Sequence, residues 1–216
     1  MKKLGIALMA IGLTVIGWFG YRYWYGMQSV TKVDEDIVKT SKTGDDLSTD
    51  TDRGDHLPSA LDNLFHSEEA SETDDQDGEA IAQLVMPSIG LSFDVFWGTG
   101  DDALAKGVGM YDSEWTTPPD LGGHTVLSGH RDTVFQPVGD LQDDESIFIN
   151  YEGEDYEYRI TKTWITDADD HSVIVEKNEP TLTLSTCYPF RFIGSAPNRY
   201  IIQAEFVQKG DLLALE

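Results

Sequence analysis

Residues Thr181–Phe190 read TLTLSTCYPF. Threonine and leucine alternate through the first half, as they do in a β-strand. The strand runs into Cys187 and is followed at once by Tyr188-Pro189, where the proline cannot continue a sheet ladder. Cys187 is the only cysteine in 216 residues, so within one chain it has no disulfide partner. Working outward, DYEYRITKTWIT upstream alternates over much of its length, like an antiparallel strand buried on one face. RYIIQAEFVQ downstream, and IAQLVMP, LSFDVFWG, HTVLSGH and SIFINYEG before, are further short apolar runs broken by turn residues. Seven or more closely spaced strands after Ile81 predict a β-barrel or sandwich. A short helix is expected over Asp101–Lys106, capped by Asp101 or Asp102 and ended by Gly107.

The texture before Ile81 is different. Leu4–Tyr21 is an 18-residue run without a charge, roughly 27 Å as a helix and enough for a bilayer core. Lys2 and Lys3 precede it, and Tyr21, Tyr23, Trp24 and Tyr25 follow like an interfacial belt. Bulky aromatics occupy the place where a signal-peptide cleavage site would need small residues. An uncleaved anchor over residues 1–25 is therefore expected, with the N-terminus cytosolic and the remainder outside the cell membrane. Residues 26–80 carry 16 acids against 4 bases and few large apolar residues, the composition of a disordered linker. As a coil it would reach about 40 Å. One island, LPSALDNLF, sets Leu57, Leu61, Leu64 and Phe65 on a helical stripe; a structural helix, a disordered tether and a fold-back lid or substrate mimic over the cleft are the open readings. Residues 81–216 then form the globular domain.

The formal net charge of −24 offers no basic footprint, which argues against nucleic acid as a partner. An odd exported thiol is an interchain link, a buried inert side chain or a nucleophile. A nucleophile needs a base or cation for the thiolate and a donor for an oxyanion. Among the histidines, His56 and His66 fall in the linker and His171 in the acidic run DADDHSV. His124 begins the strand HTVLSGH, and His130 ends it after the small pair Ser128-Gly129, with an uncrowded ring. Among the cations, Arg191 lies in the loop after Cys187, and Arg199 opens the next strand. If those strands are neighbours, Arg199 begins near where Cys187 ends; an ordinary surface ion pair is the competing reading.

Thr183-Leu184-Ser185-Thr186-Cys187 resembles the TLxTC signature of sortases. Arg199, twelve residues on in the frame Gly194-Ser195-Ala196-Pro197-Asn198-Arg199-Tyr200, is similar to the arginine of class D sortases. Val126-Leu127-Ser128-Gly129-His130-Arg131-Asp132-Thr133 resembles the family's histidine motif. GVGMY, Gly107–Tyr111, also fits, except that Met110 stands where a histidine is expected. The resemblance covers roughly residues 81–207. It implies a mostly β, eight-stranded sortase-type barrel with short helices, behind one transmembrane helix and an acidic linker. It implies a cysteine transpeptidase of the Gram-positive cell surface with Cys187, His130 and Arg199 catalytic, and Thr186 positioning substrate or oxyanion. The implied partners are surface proteins with an LPxTG-like sorting signal and an amine from peptidoglycan or its lipid-linked precursor. No cofactor is required. Some sortases use calcium, but Asp167–Asp170 has no EF-hand pattern and reads as a solvated acidic loop. The competing functions are another exported Cys–His peptidase, a wall L,D-transpeptidase (whose Ser-His-Gly-Cys type of motif is absent), and an anchored, non-catalytic β-domain with an inert thiol.

Overall fold

The computed structural model describes residues 2–26, 30–32, 79–191, 194 and 196–210. Its strands are β1 (Val30–Lys32), β2 (Ala82–Met86), β3 (Leu91–Trp97), β4 (Val108–Met110), β5 (His124–Gly129), β6 (Ser146–Tyr151), β7 (Glu154–Asp167), β8 (Thr181–Tyr188) and β9 (Asn198–Lys209). They form one sheet in the order β1-β3-β2-β6-β7-β9-β8-β5-β4, and a parallel β3–β4 pairing joins its ends. Strands β2 to β9 thus close into the expected eight-stranded barrel, which leaves few edges to protect.

Inward side chains alternate with outward ones, and their burial builds the interior. Leu84, Phe93, Leu127, Phe135, Ile147, Ile149, Tyr158, Leu182 and Leu184 pack there, with Phe93 and Phe135 edge to face at 6.2 Å. Burial pushes the Tyr158 hydroxyl up to about 12. The fourteen residues of β7 follow the barrel's curve because its ladder with β9 shifts register between Glu157 and Tyr158 and between Ile160 and Lys162, where the strand can bend. Two acids on β7 are buried and paired. Asp155 accepts from Asn150 at 2.8 Å, and Glu157 accepts from Ser146 at 2.7 Å and Gln208 at 3.0 Å. Those partners replace the water that burial removes.

Among the described residues two α-helices accompany the barrel. Helix α2 (Asp101–Lys106) falls where expected, but its N-cap is Gly100, with no side-chain cap hydrogen bond. Asp101 and Asp102 sit inside its first turn and Lys106 in its last, where they favour the helix dipole. Helix α1 spans Lys2–Gly26; among the described residues no helix is long and apolar enough to cross a membrane. β1 falls in the region read as linker and pairs antiparallel with Leu91–Phe93 of β3, on the strand whose Val95–Trp97 pairs with β4. The island Leu57–Phe65 lies outside the described residues.

The connection from β7 to β8 crosses the outer surface of the barrel and is held by His124. That ring is only 1% exposed. Its Nδ1 lies 2.7 Å from the carbonyl oxygen of Val175 and its Nε2 2.8 Å from Thr183 Oγ1. A carbonyl only accepts, so Nδ1 carries the proton and Nε2 accepts from the hydroxyl. Burial, and secondarily Lys177, outweigh the Val175 bond and lower the His124 pKa from its ordinary 6.5. The neutral ring is therefore favoured by the fold: its contribution is complete above pH 6.5 and is lost as pH falls from there toward the lower folded value. His124→Ala is expected to cost about 2–4 kcal/mol at neutral pH by leaving the buried Thr183 hydroxyl unpaired and the Val175 carbonyl without its donor. Denaturant unfolding at pH 7.5 and 5.5 checks this; the variant should also lose less stability than the wild type between the two.

Candidate active site

Strands β5, β8 and β9 lie side by side, and their register assembles the site. β5 runs parallel to β8, from His124 opposite Thr181 to Gly129 opposite Thr186. One step further along both strands stand His130 and Cys187. On the other side β8 is antiparallel to β9, with Cys187 opposite Arg199. The three residues singled out in the sequence therefore form a row across one rim of the barrel. Alternation decides their face. Leu182, Leu184 and Thr186 point inward, so Thr183, Ser185 and Cys187 point outward. Ser128 precedes His130 on that outer face, and Ile201 and Gln203 follow Arg199. The Cys187 thiol is free and half-buried, and His130 is exposed.

Local packing fixes each member. A Cβ added to Gly129 would stand 2.7 Å from the Phe135 ring and 2.9 Å from Val134 Cγ2, so only glycine lets β5 end against that turn. The His130 carbonyl accepts from the Phe135 amide at 3.0 Å and ties the turn to the strand end. Beyond Cys187 the chain is braced by aromatic rings. Phe190 packs on Tyr200 at 5.0 Å and Tyr188 stacks on Tyr200 at 6.1 Å. Gly139 leaves room for Phe190, because a Cβ there would lie 2.8 Å from its ring. Arg199 Nη1 donates to the carbonyls of Asn198 at 3.1 Å and Ala196 at 3.3 Å, which holds the guanidinium beside the strand start.

Thr186 has a different place from the one expected. It is 3% exposed, and its hydroxyl donates to the Gly129 carbonyl at 2.7 Å. An inward residue of β8 cannot reach the outer face, so this hydroxyl locks the strand ends bearing His130 and Cys187 together. Met110, where the resemblance expects a histidine, is 2% exposed and packs in the core. In the acidic loop, Asp170 accepts from the Ser172 hydroxyl and amide and from Thr166; the Ser172 hydroxyl first and Thr166 next hold its pKa at about 2. Calcium would need several converging oxygen ligands. Among the described residues no such group gathers. His171 is exposed in the same loop, which leaves β7 where Thr166 stands opposite Arg199.

Cysteine, histidine and arginine thus stand at neighbouring strand ends of a closed eight-stranded barrel. Residues 84–207 match the family model described as Sortase domain. This chain is a member of the sortase family. It is 32% identical over 209 residues to Sortase D of Bacillus subtilis (strain 168), across 96% of this chain and all of that one. Among solved structures it is similar to the catalytic domain of SrtD from B. anthracis. That match has 49% identity and a TM-score of 0.57, and covers 68% of this chain and 99% of the other. It is also similar to a Clostridium perfringens Sortase D5 transpeptidase at 26% identity, with a TM-score of 0.54 over 61% of this chain and 81% of that one. Sortases are cysteine transpeptidases, and this chain is an enzyme of that kind.

What the sequence motifs left unseen in this sortase are the supports: Gly129 as a close-approach residue, the inward Thr186 hydroxyl, and His124 under the β7–β8 loop. Thr186→Val is expected to lower stability by about 1–3 kcal/mol, the cost of a buried carbonyl left unpaired. It should also reduce kcat, while Thr186→Ser keeps both near wild type. Thermal unfolding and peptide-cleavage kinetics on the pair check the assignment. Gly129→Ala is expected to lose about 1–3 kcal/mol through overpacking and to reduce kcat at least tenfold, since His130 moves with its strand end.

Proposed function

We propose that this sortase cleaves an LPxTG-like sorting signal between Thr and Gly or Ala and joins the freed carbonyl to an amine of the cell wall or its lipid-linked precursor. The observation that carries this reading is the row of His130, Cys187 and Arg199 on one outer face, set by two adjacent strand registers. In it, the Cys187 thiolate attacks the threonine carbonyl carbon and its oxygen becomes an oxyanion. Arg199, a fixed cation with several donors, stabilises that charge. The intermediate collapses as His130 protonates the departing amine, leaving a thioester on Cys187. The incoming amine then loses its proton to His130, attacks the thioester and releases the sulfur. An outer-face location suits the task, because an extended peptide can lie along the exposed row while the interior stays packed. The reading needs no cofactor.

We also infer that the enzyme acts from the outer side of the cell membrane, held by its N-terminal helix. Support comes from the uncharged run Leu4–Tyr21 within α1 and from Met9, Ile11, Leu13, Ile16 and Phe19, whose side chains are left exposed. Membrane fractionation and protease accessibility on intact cells test it; release of the full chain into the soluble fraction would end the anchor reading.

The chemical test uses a fluorogenic LPxTG-type peptide with and without an amine acceptor, products identified by mass. Cys187→Ala is expected to abolish cleavage and the acyl-enzyme. His130→Ala should lose about 10²–10⁴ in kcat, and Arg199→Ala about 10²–10³, with Arg199→Lys recovering only part. Cleavage surviving in Cys187→Ala would refute the nucleophile.

A further inference from the structure

Arg131 follows His130 directly, and its side chain does not point into solvent alone. Its Nη1 donates to the Pro189 carbonyl at 3.1 Å and its Nη2 to the Gly194 carbonyl at 2.7 Å. Both acceptors belong to the connection, residues 189–197, that leads from Cys187 to Arg199. Gly194 has φ 126°, a conformation that favours glycine and helps set where its carbonyl points. One planar cation thus bridges the turn carrying the histidine and the loop that joins the cysteine to the arginine. Carbonyls bound to a guanidinium are held by charge-assisted bonds, stronger than neutral ones. The fork also fixes the distance between its two acceptors, which an ammonium cannot do.

We propose that Arg131 is a positioning residue: it clamps the 189–197 connection against the His130 turn and so holds His130, Cys187 and Arg199 in one row, without touching the reacting atoms. The register alone places the three backbones side by side. It leaves open the tilt of the rim beyond the last pair of the β5–β8 ladder, Gly129–Thr186, where His130 leaves its strand, and Arg131 supplies the tie on that side. Its kinetic role rests on the sortase chemistry above; its structural role does not.

The test compares wild type with Arg131→Ala, Arg131→Lys and Arg131→Gln. With the LPxTG-type peptide, Arg131→Ala is expected to lower kcat about 30-fold while KM changes less than about threefold, the signature of misplaced catalytic groups. Arg131→Lys keeps the charge but serves one carbonyl at a time, and should recover only a few-fold. A second readout needs no substrate: the pH profile of Cys187 alkylation by iodoacetamide, which is expected to shift in Arg131→Ala because His130 is no longer held beside the thiol. Arg131→Gln keeps one planar donor and should show the same changes to a smaller extent; it serves as the reporter if the alanine variant fails to fold. An unchanged kcat, full recovery by lysine, or an alkylation profile that overlays the wild type overturns the proposal. If the wild type itself fails to cleave the peptide, the substrate reading falls while the alkylation profile still decides the role of Arg131.

Discussion

The parallel ladder between β5 and β8 is the constraint on which the site depends. Parallel neighbours keep the same direction, so two strands that pair from His124–Thr181 to Gly129–Thr186 must also end together. Only that arrangement brings the residue after one strand beside the last residues of the other. An antiparallel pair would have sent His130 and Cys187 to opposite ends of the barrel. The antiparallel β8–β9 ladder then does the complementary job, since it reverses direction and sets the first residues of β9 against the last of β8. A slip of one residue in either ladder would turn every side chain of the slipped strand to the other face. It would put Thr186 outside and Cys187 in the core.

That sensitivity explains why the supports are packed so tightly. The Thr186 hydroxyl on the Gly129 carbonyl, the missing Cβ at Gly129 and the buried His124 between Val175 and Thr183 all sit on the β5–β8 pair or its outer cover. Each removes a way for the two strands to slide or part. Support from the strand, with loops only finishing the rim, holds the half-buried Cys187 thiol at the surface without loosening the interior.

Chemical identity was legible in the sequence where it was written in contiguous residues. TLTLSTC declared both a strand and its unpaired thiol, SGH placed a histidine at a strand end, and the alternation of DYEYRITKTWIT gave the curved β7. What could not be read was whatever depended on distant partners. His124 looked like an ordinary strand opener because Val175 and Thr183 are 51 and 59 residues away. Arg131 looked like part of a motif because its acceptors are backbone carbonyls, which leave no mark in a sequence. Thr186 was expected to position substrate or oxyanion because it adjoins Cys187, whereas the two-residue period of a strand turns it the other way. The cap of α2 was sought in an aspartate, but Gly100 occupies it. β1 was hidden for a different reason: three residues in an acidic stretch carry no periodicity, and their strand character comes from β3.

β1 also alters how load passes along this chain. It is hydrogen-bonded to the same strand, β3, that pairs with β2, so residues 33–81 leave and return to one sheet. Only four peptide steps separate Gly26 at the end of α1 from Val30, at most about 14 Å when fully extended. Val30, Thr31 and Lys32 thus tie the chain just after α1 to β3, and α1 itself also lies against α2. The barrel's reach from α1 is then bounded by the four peptide steps to β1 for as long as that three-residue ladder holds.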